Sequence, residues 1–141
     1  MNVREVMTSN PRTCQPNSTI QDAAVIMRDE DTGAVPVVEG GRVIGMVTDR
    51  DIVIRGIAEG GAGDQKVREI LSGDVVCANP DMSTSEAADL MGEHQIRRLP
   101  VVEDDKLVGI VSLGDLAVKL GKDRKTGDTL ENISEGVKQR H

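Results

Sequence analysis

Two seven-residue stretches decide the reading of this chain: Gly45-Met46-Val47-Thr48-Asp49-Arg50-Asp51 and, 64 residues later, Gly109-Ile110-Val111-Ser112-Leu113-Gly114-Asp115. Each leaves an apolar run at Thr or Ser and reaches Asp three residues on. A hydroxyl residue in that place is a natural helix N-cap. It sets a helix start, with unpaired N–H donors and a favourable dipole, where a phosphate could be held. The Asp falls on the first helical turn, and a carboxylate can accept hydrogen bonds from both hydroxyls of a ribose. Taken alone, the same Thr/Ser and Asp read equally as a capping pair that only starts a helix.

Working outward, the shift of 64 residues aligns the two halves without a gap. Val3-Arg4-Glu5-Val6-Met7 lies over Val67-Arg68-Glu69-Ile70-Leu71, and Pro16 over Pro80. Ala23-Ala24 and Met27 lie over Ala87-Ala88 and Met91. Pro36-Val37-Val38-Glu39 lies over Pro100-Val101-Val102-Glu103. Identities clustered at one ungapped offset are the mark of an internal duplication.

Each half predicts strand, helix, strand, strand, helix. A short extended piece (Arg12 to Gln15; Val75 to Asn79) ends near a Pro. Ser18-Thr19-Ile20-Gln21 and Ser83-Thr84-Ser85-Glu86 fit the capping box that opens a helix. Ile20, Ala23, Ala24 and Met27 then form one apolar stripe at helical spacing, matched by Ala87, Ala88 and Met91. Two strands with a tight turn follow, at Gly40-Gly41 and at Asp104-Asp105. Pro36 and Pro100 lack an N–H and are expected at a strand start or edge. A second helix runs from Asp49 to about Glu59 and from Leu113 to about Leu120, with Ile52, Val53 and Ile57 expected against the sheet. The sequence divides into repeat 1 (1–60), repeat 2 (61–121, with a Gly-rich linker at 59–66) and a polar tail (122–141) expected to be a weak helix or a frayed end.

Composition excludes several classes of function. The net charge is −7, whereas nucleic-acid binding is driven largely by Lys and Arg neutralising phosphates. Phe, Tyr and Trp are absent, so there are no aromatic platforms for unpaired bases, and any bound ring must lie on aliphatic side chains. No apolar run reaches the roughly 18 residues of a membrane span. The opening MNVREVMTSN lacks the apolar core of a signal peptide, so the expected compartment is the cytoplasm. Cys14 and Cys77 cannot build a four-ligand zinc site unaided. His94 suits a helix C-terminus and His141 is terminal; neither has a metal-binding partner at useful spacing. No nucleophile–base pair or carboxylate pair can be located, so catalysis is not expected.

The repeated Pro-Val-Val strand and the closing Gly-x-x-Thr/Ser-x-x-Asp resemble the CBS domain, the regulatory repeat named after cystathionine β-synthase. The resemblance covers about Val3 to Leu120 and points to the small free-standing bacterial type. It implies an α+β, sandwich-like fold of two β-α-β-β-α repeats packed about a pseudo-twofold axis, with two clefts between them. It further implies a homodimer and an adenosine-containing regulatory ligand: AMP, ADP, ATP or S-adenosylmethionine. No obligatory cofactor, catalytic residue or metal ligand is implied.

The candidate ligand-binding residues are Thr48, Arg50 and Asp51 in the first motif and Ser112 and Asp115 in the second. Thr13, Cys14, Pro16, Val35 and Pro36, and likewise Cys77, Ala78, Pro80, Leu99 and Pro100, are candidates for the base slot or equally for the core. The resemblance marks Arg97 or Arg98, which Gly33-Ala34 replace in the first half, as a phosphate ligand, either in its own half or to a nucleotide held mainly by the other; a surface pairing with Glu93, Glu103 or Asp104 is the alternative. Cys14 and Cys77 occupy adjacent alignment positions. A disulfide between them would tie binding to redox state, whereas free Cys is usually a small buried hydrophobe. The function expected is a non-catalytic adenine-nucleotide sensor read by an unknown effector protein. The alternatives are a ligand-free interaction scaffold or a redox- or metal-responsive dimer.

Overall fold

The structure is a computed structural model that describes residues 1–120; the expected polar tail at 122–141 lies outside the described residues. The fold is α+β. The elements are β1 (Thr8–Ser9), α1 (Ile20–Glu30), β2 (Ala34–Glu39), β3 (Arg42–Thr48), α2 (Asp49–Asp51), α3 (Thr84–His94), β4 (Arg98–Glu103), β5 (Lys106–Ser112) and α4 (Leu113–Leu120).

The chain forms two compact units that are offset from the two repeats. One, the Thr48 unit, holds Arg12–Val75 with Asp105–Leu107; the other, the Ser112 unit, holds Met1–Pro11, Val76–Asp104 and the described residues from Val108 to 120. The Val-Arg-Glu segment that opens each repeat thus belongs to the unit of the other repeat. Val3–Glu5 and Val67–Glu69 are both short 3-10 turns. Val3 N donates to Met82 O at 2.8 Å and Arg4 N to Pro80 O at 3.0 Å, while Val67 N donates to Ser18 O at 2.8 Å and Arg68 N to Pro16 O at 3.1 Å. Val3 and Val6 enter the core of the Ser112 unit, with Ala87, Ala88, Met91, Leu99, Val101, Val111 and Leu116. Val67 and Ile70 enter that of the Thr48 unit, with Cys14, Ile20, Ala23, Met27, Val35, Val37 and Val47. Each fully buried Val or Ile contributes about 1.5–3 kcal/mol, so neither repeat carries its whole core within its own stretch of sequence.

The strands behave as their sequences predict. β2 and β3 pair antiparallel around Gly40 (φ +60°) and Gly41 (φ +84°), left-handed conformations in which glycine bears no Cβ penalty. The second hairpin turns on Asp104 (φ +53°) and Asp105 (φ +63°), a residue type that tolerates this region. The extended pieces lie parallel to the hairpins through the bridges Cys14–Val37 and Ala78–Val101. Cys14 N bonds Pro36 O at 2.9 Å and Val38 N bonds Cys14 O at 2.8 Å. The N–H that Pro36 lacks therefore falls just past this two-bond ladder, where it costs nothing. Pro100 stands in the same relation to Ala78.

The helices correct three expectations. The N-cap of α1 is Thr19, in a reciprocal box with Asp22, and not Ser18 with Gln21; Ser18 Oγ instead accepts from Gln15 N at 3.0 Å. Ser83 caps α3 as expected and accepts from Glu86 N at 3.0 Å. Ala24 is exposed, and Ile26 takes its place in the core beside Ile20, Ala23 and Met27. Of the residues expected to pack after Asp49, Ile52 does, whereas Val53 is 56% exposed and Ile57 54%. The segment Ile52–Gly56 winds as a π-helix, which carries more residues per turn and throws the apolar stripe out of phase.

Gly45 and Gly109 are where the crossing segments touch the hairpins. Met46 pairs with Ser72 and Ser9 with Gly109. A methyl built on Gly45 would lie 2.6 Å from Leu71 Cδ1 and 2.7 Å from the Ser72 carbonyl oxygen. One on Gly109 would lie 2.5 Å from Met7 Sδ and 2.9 Å from the Thr8 carbonyl oxygen. Gly45→Ala and Gly109→Ala are each expected to lower stability by about 1–3 kcal/mol, as overpacking does. Gly45→Ala should cost more, because its backbone obstacle is nearer and Met7 is the more adaptable side chain. Gly73→Ala, with open space around it, should change stability by less than about 0.5 kcal/mol. Urea unfolding of the three variants checks the order.

Candidate functional site

Both motifs form the same local structure. Thr48 ends β3 and caps α2: its Oγ1 accepts from Asp51 N at 3.0 Å, and Asp51 Oδ2 accepts from Thr48 N at 2.9 Å. Ser112 ends β5 and caps α4: its Oγ accepts from Asp115 N at 3.0 Å, and Asp115 Oδ2 accepts from Ser112 N at 3.2 Å. Both are reciprocal capping boxes with Asp in the third position. In each, one carboxylate oxygen is committed to the cap and the other is left. Asp51 Oδ1 lies 4.0 Å from Arg55 Nη1, while Asp115 Oδ1 has no partner among the described residues. Capping and ligand binding are therefore compatible, because the cap uses only half of each carboxylate.

The remaining candidates fall into two groups. Cys14, Val35, Ala78 and Leu99 are at most 3% exposed and fill the cores of their units. Pro36, Pro80 and Pro100 are buried too, while Thr13, Pro16 and Cys77 are half-buried beside their hairpins. Arg50 is exposed and lines a shallow groove with Asp49, Val53 and Ile54 beside the Thr48 cap. Arg97 is exposed and Arg98 half-buried, and neither makes an ion pair among the described residues. Glu103, one partner considered for them, is taken by Arg4 at 2.8 Å.

Sequence reasoning missed Asp49. Its Oδ1 accepts from Arg50 N at 2.8 Å, and its backbone N donates to Gly33 O at 2.9 Å. The signal was in the alignment, where Asp49 faces Leu113 and Gly33 faces Arg97.

Both cysteines are free thiols. Burial, and then the nearby Asp22 carboxylate, push Cys14 from 9.0 to about 11; burial also raises Cys77. The folded state resists ionisation of Cys14. Its contribution to stability is therefore intact below pH 9.0 and is lost as pH rises from there through about 11. Cys14→Ala should flatten the fall in stability across that window, as followed by urea unfolding at stepped pH. In native protein near pH 8 a thiol reagent should label Cys77 at least about tenfold faster than buried Cys14. In denaturant the two rates should converge.

The CBS domain model matches residues 3–56 and again 67–122. The chain is 49% identical over 132 residues to the CBS domain-containing protein YhcV of Bacillus subtilis, covering 94% of each. It is 35% identical to a crystal structure of Hypoxic Response Protein I with two coordinated zinc ions, at a TM-score of 0.78, over 84% of this chain and 98% of that one. It is 27% identical to the CBS domain pair of protein MJ0100 in complex with 5′-methylthioadenosine and S-adenosyl-L-methionine, at a TM-score of 0.77, over 86% of this chain and 97% of that one. Among the described residues no three His, Cys, Asp or Glu side chains come together as a metal site, and no helix is long and apolar enough to cross a membrane.

Proposed function

The chain belongs to the CBS-domain family, and from that premise we propose that it is a non-catalytic sensor of an adenosine-containing compound, acting as a homodimer on a cytoplasmic effector protein. One observation carries the reading. Each strand-to-helix junction presents a capped helix start and, three residues on, an Asp with one carboxylate oxygen left over. Those are the parts that an adenosyl ribose and its 5′ substituent require. The MJ0100 pair, of the same fold, holds two such compounds. With no aromatic residue in the chain, the base is held by aliphatic groups and backbone, from the half-buried Thr13 and Pro16 in one unit and Cys77 in the other. A ligand of this kind acts by favouring one conformer over another, and its leverage is its difference in affinity between them.

The absence of Trp and Tyr makes the test direct. Purified protein should show an adenine absorption band that leaves with the supernatant on denaturation and resolves on chromatography to AMP, ADP, ATP or S-adenosylmethionine. Protein purified empty should bind at least one of these in calorimetric titration. Asp51→Asn and Asp115→Asn keep an oxygen for the cap and remove the charge, so each should weaken binding about tenfold or more with little change in melting temperature. Silence in both the spectrum and the titrations would leave the protein an interaction scaffold.

A further inference from the structure

The two motifs differ in how they use the three N–H donors that begin each helix. The first is spent alike: Asp49 N donates to Gly33 O at 2.9 Å and Leu113 N to Arg97 O at 2.7 Å. The third is spent alike too, on Thr48 Oγ1 and on Ser112 Oγ, each at 3.0 Å. The second is not. Arg50 N donates to the Asp49 carboxylate at 2.8 Å, whereas Gly114 N has no partner among the described residues. Leu113, in the place of Asp49, has no acceptor to offer. A methyl built on Gly114 would touch only the Ser112 hydroxyl, at 3.7 Å, so no close packing surrounds this residue on its Cβ side.

The neighbouring position changes with it. A methyl built on Gly33 would lie 3.1 Å from Asp49 Oδ2 and 3.3 Å from Oδ1, so the carboxylate stands where a side chain at 33 would begin. In the Ser112 unit that position is Arg97, followed by Arg98, both free of ion pairs among the described residues. Arg50 lines the same groove as Asp49, so one cation meets one carboxylate there and no net positive charge remains. One motif thus presents an unclaimed N–H next to two arginines. The other presents a carboxylate over a claimed one.

We infer that Asp49 is a selectivity residue: it excludes an anionic group from the Thr48 motif, which takes adenosyl compounds without a phosphate, and leaves phosphate-bearing nucleotide to the Ser112 motif. The inference rests on the adenosyl-binding reading above. A phosphate entering at Thr48 would have to displace Asp49 from the Arg50 N–H while lying beside its negative charge, and discrimination by such an unfavourable contact is as effective as added attraction elsewhere. A neutral or cationic 5′ substituent meets no such barrier.

Calorimetric titration of the whole chain with AMP and with adenosine tests this. Asp49 is exposed, and Asn keeps an acceptor for the Arg50 N–H, so Asp49→Asn preserves the local fold. Unaltered protein should bind adenosine at both motifs and AMP tightly at one. Asp49→Asn should add a second AMP site, tightened at least about tenfold, with adenosine binding unchanged. Two equivalent AMP sites in the unaltered protein, or AMP binding indifferent to Asp49→Asn, would overturn the selectivity role while leaving the adenosyl reading intact. Failure of AMP and adenosine to bind the unaltered protein would overturn this inference, and failure of ADP, ATP and S-adenosylmethionine as well would overturn the adenosyl reading with it.

Discussion

In each unit a backbone segment crosses a hairpin strand at a residue with no side chain. Ser72 O and Leu71 lie within 3 Å of where a Cβ on Gly45 would be, and Thr8 O and Met7 do the same at Gly109. That approach lets Met46 and Ser72 exchange backbone hydrogen bonds at 3.0 Å, which holds the crossing segment in place. The segment in turn delivers Val67 and Ile70 to one core, and its counterpart delivers Val3 and Val6 to the other. If the glycine is filled, the segment must lift, and the core loses residues that no other part of the unit supplies.

The same strands end in the capping boxes. β3 stops at Thr48 and β5 at Ser112 because the backbone there turns into a helix whose donors the hydroxyl and the Asp satisfy together. Three residues before each cap is the crossing glycine. The motif thus holds two separate constraints on one strand: close packing at its middle and helix initiation at its end. Only the second has a chemical surplus, the carboxylate oxygen that the cap does not use.

Duplication gave the two units one frame and left their polar surfaces free to diverge. Buried positions keep their character across the repeat, as Val37 and Val101 or Val47 and Val111 do, because a change of volume there is felt directly. Gly33 and Arg97 differ in charge, and Asp49 is exposed where its counterpart Leu113 is buried in the core, so the two units also differ in which backbone donor is covered. The exposed Val53, Ile54 and Ile57 follow from the π-helical turn in one unit; α4, regular from Leu113, buries Leu116 in the other.

The sequence by itself determined the repeat, the order of elements, the hairpin turns and the Thr48/Asp51 and Ser112/Asp115 pairs. All of these are local: spacing along the chain fixes which residues share a helix face, a turn or a capping box. It also held the correct cap of α1, since Thr19 and not Ser18 lies over Ser83, but a plausible Ser-x-x-Gln one residue earlier masked it. Tertiary structure alone decided which unit each Val-Arg-Glu turn completes, because a segment between two repeats fits either core by its own pattern. It decided that Gly45 and Gly109 are sites of backbone contact, since a glycine in a strand gives no sign of what passes over it. It also decided that the Asp49 carboxylate covers the Arg50 N–H in the space left by Gly33, a contact made only when residues far apart in the chain are folded side by side.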